Sequence, residues 1–242
     1  MDIFLYKENN SLDDKIDRWI LPAEKRYALL EFKSRKREQE FLLSRAIMRK
    51  LLLEKYDKSV SLEFKKSSYG KPFLEGHEDI NFNWSHSHGL FAFAVSQSHS
   101  VGVDIEYKMA NKSYKKIAEK HFSKKEFDYI VSQKSQIDEM REFQRLWSLK
   151  EAYFKAADQG FSSENIKIYF DLKNYSIDHL PQRDPSSFFN FTWEKAMVSV
   201  CVNNDKESEV SSRIYEVDFE HLNWKSNLLE LNLDFKHFSK MN

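Results

Sequence analysis

The sequence predicts an α+β protein of two similar halves, each a small antiparallel sheet packed on a long helix. Residues 37–53, "REQEFLLSRAIMRKLLL", and 138–158, "DEMREFQRLWSLKEAYFKAAD", are long amphipathic stretches without a breaker, and short apolar segments of strand type follow each. The halves also echo one another. "FLLSRAIMRKLL" leads through strands to "FNWSHSHGLFAFAV", as "RLWSLKEAYFKAA" leads through strands to "FTWEKAMVSVCV". A true duplication and chance similarity among aromatic-rich strands both account for such an echo. The expected division is an N-terminal half of residues 1–103 and a C-terminal half of residues 104–242, with any site at the seam.

Taken in order after the first helix, "SVSLEFKK" predicts a strand and "SYGKPFL" a turn into an extended piece. "INFNWSHS" and "LFAFAVSQ" then form a strand pair, and "VGVDIEY" another strand. Residues 112–132 return to helix, where Ser123 followed by Glu126 three residues later makes a capping box. Gly160 supplies the stop for the helix over 138–158. "NIKIYF", "FFNFTW", "AMVSVCV" and "SRIYEVDF" read as short strands, and the tail from 222 as weakly helical.

Composition narrows the function. Lys and Arg total 38, equal to Asp plus Glu, so the chain has no global basic field for nucleic acid and any anion site is local. Cys201 is the only cysteine, which excludes an intramolecular disulfide and a cysteine zinc site and fits a reducing compartment. "MDIFLYKENN" lacks the character of a signal peptide, and "LFAFAV", the longest apolar run, is far too short to span a bilayer. A soluble cytoplasmic protein is expected. All five glycines lie between positions 70 and 160, and this clustering directs attention there.

Three segments carry residues capable of chemistry. In "VGVDIEY" a period of two places Gly102, Asp104 and Glu106 on one face, with the carboxylates about 7 Å apart along the strand. Beside a glycine they leave room for a hard cation, although an amphipathic strand with a solvated acidic face has the same pattern. On the helix, Trp147, Glu151 and Lys155 share a face by their spacing of four, and Lys150 reaches the same region from the flank. An exposed Glu151–Lys155 pair is the bland alternative, and Trp147 argues that this face is partly covered. "NFNWSHSHGL" holds the third set. His86 and His88 on one strand face suit zinc but find no third soft ligand, and adjacent Ser85 and His86 project to opposite faces, which disfavours a nucleophile pair. A phosphate cradle and a polar hairpin stay open on the residues alone.

The series "YGKPFL", "FNWSHSHGLFAFAV", "VGVDIE" and "WSLKEAYFKAADQG" resembles the Sfp-type 4′-phosphopantetheinyl transferase family. That family's pattern is GKP, then F-N-x-S-H-S, then G-[IV]-D-[IV]-E, then W-x-x-K-E-[AS]-x-x-K-x-x-G. The match is tight over residues 69–160 and weaker back to about residue 21, through "LPAEKR" and "FLLSRAIMRKLL". Trp84 departs from it, where the family more often has Ile, Leu or Val.

The resemblance implies a pseudo-twofold pair of α+β halves with coenzyme A between them. It also implies Mg²⁺-dependent transfer of the phosphopantetheine arm to a serine of an apo carrier protein, releasing adenosine 3′,5′-bisphosphate. On that basis Asp104, Glu106 and Glu151 hold Mg²⁺. Ser85, His86, Lys71 with Pro72, Arg45 and Lys25 contact coenzyme A, and Lys150 and Lys155 flank its diphosphate. Glu151, or a water that it orients, takes the serine proton. Lys155 is the weaker candidate, because three carboxylates favour its charged form. The basic segment 107–125, "YKMANKSYKKIAEKHFSKK", suits an acidic carrier surface and is equally well a solvated helix. A monomer is expected. A non-catalytic coenzyme A or nucleotide-binding module and a metal-dependent diphosphate hydrolase are the rival readings.

Overall fold

A computed structural model describes residues 1–8, 16–56, 63–107, 113–159, 168–179, 186–203 and 212–217, with the backbone of 229–230 and 236–240. The first elements are β1 (Asp2–Lys7), α1 (Pro22–Glu31), α2 (Arg35–Tyr56), β2 (Lys65–Lys66), β3 (Pro72–Phe73), β4 (Asn81–Ser87), β5 (Leu90–Ser96) and β6 (Ser100–Tyr107). There follow α3 (Tyr114–His121), α4 (Lys124–Val131), α5 (Gln136–Ala156), β7 (Tyr169–Asp171), β8 (Ser176–His179), β9 (Ser186–Trp193) and β10 (Ala196–Asn203). The last are β11 (Arg213–Glu216), β12 (Leu229–Glu230) and β13 (Lys236–Lys240). Among the described residues no helix is long and apolar enough to cross a membrane.

Side-chain alternation builds the layers of this mixed α+β fold. One sheet runs β12-β11-β1-β5-β4, and a second runs β6-β10-β9-β13-β8-β7. Ile3, Leu5, Leu90, Ala92 and Ala94 of the first sheet share a core with Val101, Val103, Ile105, Val198 and Val200 of the second. The opposite parity of the first sheet, Phe4, Tyr6, Phe91 and Phe93, packs on Leu43, Ile47 and Leu51 of α2. Phe188 and Cys201, from the outer face of the second sheet, pack on Phe143, Leu146, Leu149 and Tyr153 of α5. The order of layers is α2, first sheet, second sheet, α5. Burial of each such Phe or Leu contributes about 1.5–3 kcal/mol.

Both long hairpins turn in two residues. His88 and Gly89 join β4 to β5 with φ of 54° and 78°, and Glu194 and Lys195 join β9 to β10 with φ of 47° and 66°. Positive φ at both positions is the type I′ geometry, whose twist matches that of the flanking strands. His88, to which the sequence assigned no role, is a turn residue whose ring lies 5.3 Å from that of Tyr107.

Several expectations need correction. Neither sheet is purely antiparallel, because β11 runs parallel to β1, and β13 runs parallel to β8. A division between 103 and 104 cuts through β6, and β11 and β12 join the first sheet, so that sheet draws on both ends of the chain. The helix expected over 112–132 is two helices, separated where Ser123 caps α4: its Oγ accepts from Glu126 N at 3.3 Å, and Glu126 Oε2 accepts from Ser123 N at 2.7 Å. The tail reads as strand at 229–230 and 236–240. The expected strand over 59–66 is present at Lys65–Lys66, while positions 57–62, Gly160 and 161–167 lie outside the described residues.

At Gly102 the backbone of α5 sits close against β6. A Cβ there would lie 2.1 Å from Ala152 O and 2.3 Å from Ala156 N, both backbone atoms. The room beside this glycine is therefore filled by the helix, not kept for a cation as its sequence position suggested. Gly102→Ala should push α5 off β6 and cost at least about 1–3 kcal/mol, read as a lower urea midpoint at unchanged m-value. An unshifted midpoint would show that α5 is not seated so closely.

Candidate active site

The two sheets meet edge to edge at β4 and β6, and side chains stitch them. Asn83, Ser85 and Ser87 project from one face of β4 by the period of two. Asn83 Oδ1 accepts from Val103 N at 3.0 Å, Ser85 Oγ donates to Asp104 Oδ1 at 2.9 Å, and Ser87 Oγ accepts from Tyr107 N at 3.2 Å. The other parity, Phe82, Trp84 and His86, faces the α2 side, where Trp84 stacks on Phe82 at 6.0 Å. Ser85 and His86 thus lie on opposite faces. His86 approaches Glu40 of α2 at 3.7 Å (Nδ1 to Oε2) and keeps about a third of its side chain in solvent, at 35%. Burial lowers its pKa most, Glu40 raises it, and the charges of Lys155 and Lys36 lower it further.

Above this seam the last turns of α5 bring in Glu151 and Lys155. Lys155 Nζ lies 2.6 Å from Asp104 Oδ1 and 3.2 Å from Ser85 Oγ. Asp104 is 4% exposed, and its Oδ2 has no hydrogen-bond partner. Glu106 is pushed up to about 7, first by burial and then by the charge of Asp104, with Glu151 adding to the effect and Lys155 opposing it. Burial also raises Glu151, with Lys155 lowering it and Asp104 raising it. Three carboxylates therefore crowd one another, with a single ammonium among them. Behind them Ser148 Oγ and Ser199 Oγ, 2.7 Å apart, fix α5 on β10.

A cavity of about 290 Å³ opens from Lys155. Among the described residues Arg45, Lys66, Lys71 and Lys155 line it against a single carboxylate, Asp158, with Tyr69, Gly70, Pro72, Asn83, Trp84, Phe154 and Gln159 completing the walls. Lys71 Nζ donates to Ser100 Oγ at 2.8 Å and to Ala156 O at 3.0 Å, tying the β2–β3 hairpin to the end of α5. Burial lowers its pKa to about 8, against the raising effect of Asp158. Gly70, with φ of 90°, makes the turn that aims Lys71 inward. Arg45 is stacked 3.5 Å above Phe41 and 5.6 Å from Trp84, and burial lowers its pKa to about 10. A cation under this desolvation gains when an anion enters.

Two residues expected at the site are elsewhere. Lys150 points into the second half's core, where it meets Glu126 at 3.1 Å, donates to Ile168 O and lies within 5.9 Å of the rings of Phe122, Tyr169 and Phe170. Successive helical residues differ in direction by about 100°, which carries Lys150 away from the face of Glu151. Lys25 pairs with Asp17 at 2.6 Å and does not line the cavity. Lys66, Tyr69, Asn83, Trp84 and Asp158 line the cavity without having been anticipated. Asn83 was findable, since it shares parity with Ser85 and Ser87. Lys66 and Asp158 owe their place to the tertiary approach of the β2–β3 hairpin to α5.

Among the described residues no three His, Cys, Asp or Glu are gathered as ready metal ligands. The chemistry still fits a hard cation: Asp104 Oδ2 is an unpartnered acceptor, and Glu106 and Glu151 are held toward protonation first by burial and then by the charge of Asp104, which a bound cation would offset.

The comparisons with known proteins bear on the same region. A family model described as the 4′-phosphopantetheinyl transferase superfamily matches residues 100–214, which take in β6, α5 and the β9–β10 hairpin. The chain is 30% identical to the 4′-phosphopantetheinyl transferase gsp of Aneurinibacillus migulanus, over 74% of this chain and 71% of that protein. It is 32% identical to the 4′-phosphopantetheinyl transferase ffp of Bacillus subtilis, over 69% and 76% respectively. To the 4′-phosphopantetheinyl transferase Sfp of Bacillus subtilis strain 168 the identity is 31%, over 71% and 75%.

The chain belongs to the 4′-phosphopantetheinyl transferase superfamily. Within it the chain is of the Sfp type, and it is an enzyme that transfers 4′-phosphopantetheine.

Two predictions follow from the charges. Glu106 binds its proton more tightly folded than unfolded, so the metal-free protein should lose stability as pH rises from about 4.5 toward about 7. Glu106→Gln should flatten that slope in urea titrations with chelator present, and a slope unchanged by the substitution would contradict the crowding. Lys150→Ala should cost about 3–5 kcal/mol by stranding Glu126, while the folded fraction keeps its affinity for coenzyme A.

Proposed function

We propose that the four-cation cavity receives the nucleotide end of coenzyme A and that the serine of an apo carrier protein enters above Glu151. The observation that carries this reading is the convergence of Asp104, Glu106, Glu151 and Lys155 at one end of a cavity rich in positive charge. Pantetheine is neutral, so a cavity with four cations and one carboxylate suits the phosphorylated nucleotide. Lys71, with Pro72 stiffening its turn, and Arg45 are its contacts, and Ser85 and Lys155 lie where the diphosphate meets the seam. His86 faces the same region from the other side of β4, with Glu40 orienting its ring.

In the reaction the serine Oγ attacks the phosphorus that carries pantetheine. The bond from that phosphorus to the bridging oxygen breaks, and adenosine 3′,5′-bisphosphate leaves. Glu151 accepts the serine proton, a task suited to a carboxylate whose burial raises its basicity. Lys155 moves from Asp104 toward the leaving phosphate and stabilises its charge. Mg²⁺ held by Asp104, Glu106 and Glu151 would neutralise diphosphate oxygens and charge developing between them.

The finer architecture is read as a pseudo-twofold repeat, α2 with the β4–β5 hairpin matching α5 with the β9–β10 hairpin. Two-residue turns with positive φ in both hairpins support it. The carrier is read as docking on α3 and α4, whose Lys116, Lys120, Lys124 and Lys125 are exposed; residues 108–112 of the expected basic segment lie outside the described residues. The chain is read as acting as a monomer.

Incubation with coenzyme A, Mg²⁺ and an apo carrier should add one phosphopantetheine mass to the carrier. Diphosphate cleavage without carrier gain would favour a hydrolase, and binding without turnover a non-catalytic module. Asp104→Ala should lower transfer by at least about 10²-fold, with excess Mg²⁺ failing to restore it. Near wild-type turnover in that variant would remove Asp104 from the site.

A further inference from the structure

Asp158 is out of place by charge. Among the described residues it is the single carboxylate in a cavity lined by four cations, and a carboxylate there repels the phosphates that the cations attract. Its position is also conformationally specific. It follows the C-cap residue of α5 with φ of 51°, in the left-handed region that Asp and Asn tolerate better than most side chains. Ser67 Oγ donates to Asp158 Oδ1 at 2.6 Å, which ties that oxygen to the β2–β3 turn. Among the described residues this is its one hydrogen bond, and Oδ2 remains as an acceptor.

The walls beside it are flat. Phe154 lies one helical turn before Asp158, and Trp84 and Tyr69 line the same cavity. Aromatic faces suit a planar base, and a fixed acceptor at its edge suits an exocyclic amino group. We infer that Asp158 reads the adenine of the nucleotide, its Oδ2 accepting a hydrogen bond from the exocyclic amino group, so that adenine is selected over hypoxanthine. Hypoxanthine places a carbonyl oxygen at that point and sets one acceptor against another. The inference rests on the nucleotide occupying this cavity, as proposed above, and assigns the group that chooses the base.

A purely structural part for Asp158, pinning the β2–β3 hairpin to α5, would leave base preference untouched. Asp158→Asn separates the two. Asn tolerates the same backbone conformation and keeps an oxygen for Ser67, but it turns a donor toward the base. Equilibrium binding of adenosine 3′,5′-bisphosphate and inosine 3′,5′-bisphosphate, without carrier, is the direct measurement. Wild type should prefer the adenine compound at least about tenfold, and Asp158→Asn should bring the ratio to about one or invert it. Equal wild-type affinities, or a ratio unchanged in the variant, would overturn the inference.

The transfer assay, run with coenzyme A and its hypoxanthine analogue, keeps the two readings apart. Carrier gain with equal kcat/KM for both sustains the transferase reading of the cavity and sinks the role of Asp158. Selective nucleotide binding with no carrier gain sustains base selection and sinks the transfer. Failure to bind either nucleotide removes both.

Discussion

Two sheet edges that meet without a backbone ladder must be held by something else. Here Asn83, Ser85 and Ser87 hold β4 to β6 with hydrogen bonds from every second residue. Bonds of this kind contribute about 0.5–1.5 kcal/mol each, too little to define the fold beside the core between the sheets. They do fix register. Ser85 and Asp104 are brought within 2.9 Å only if β4 and β6 neither slide nor part, and Lys155 then finds both. The charged centre is thus a by-product of how two edges are joined.

Two lysines five residues apart on α5 show how burial decides what a charge can do. Lys150 is enclosed with Glu126, which also accepts from Phe170 N at 2.9 Å and caps α4, so the pair welds α4 and β7 to the helix. Removing either partner strands a buried charge, and the pair has no freedom to serve a substrate. Lys155 is partly exposed and sits on a carboxylate whose second oxygen is unpartnered. Exchanging its pairing leaves Asp104 buried, so the exchange needs another cation to take the place of Lys155. Both pairs are built from a lysine and a buried acid, and they differ in the exposure of the lysine, 3% against 29%, and in the backbone groups that Lys150 and Glu126 also hold.

Much of this was legible from periodicity. The period of two sorted Val101, Val103 and Ile105 from Gly102, Asp104 and Glu106, and predicted that Ser85 and His86 would part. Spacing of four placed Glu151 and Lys155 on one face. What periodicity could not supply was the neighbour. Gly102 read as open space because the helix that fills it lies some fifty positions on. Lys150 read as part of the site because adjacency in sequence was taken for adjacency in space, and the β2–β3 hairpin, which brings in Lys66, is too short to announce itself. The parallel pairing of β11 with β1 joins segments from opposite ends of the sequence, beyond any local pattern.

That pairing also sets an order of events. β1 is flanked by β5 on one side and by β11 on the other, with Asp2 bonded to Arg213 at 3.0 Å and to Tyr56 at 2.6 Å. During synthesis residues 2–7 can pair with β5 once about a hundred residues are made, yet their second edge waits for residues 213–216. Between the making of β5 and the making of β11 the nascent chain carries an open strand edge with apolar neighbours, a template for pairing with another chain. The strand that covers this edge is made long after β1 itself, so the first sheet stays open on that side until residues 213–216 follow.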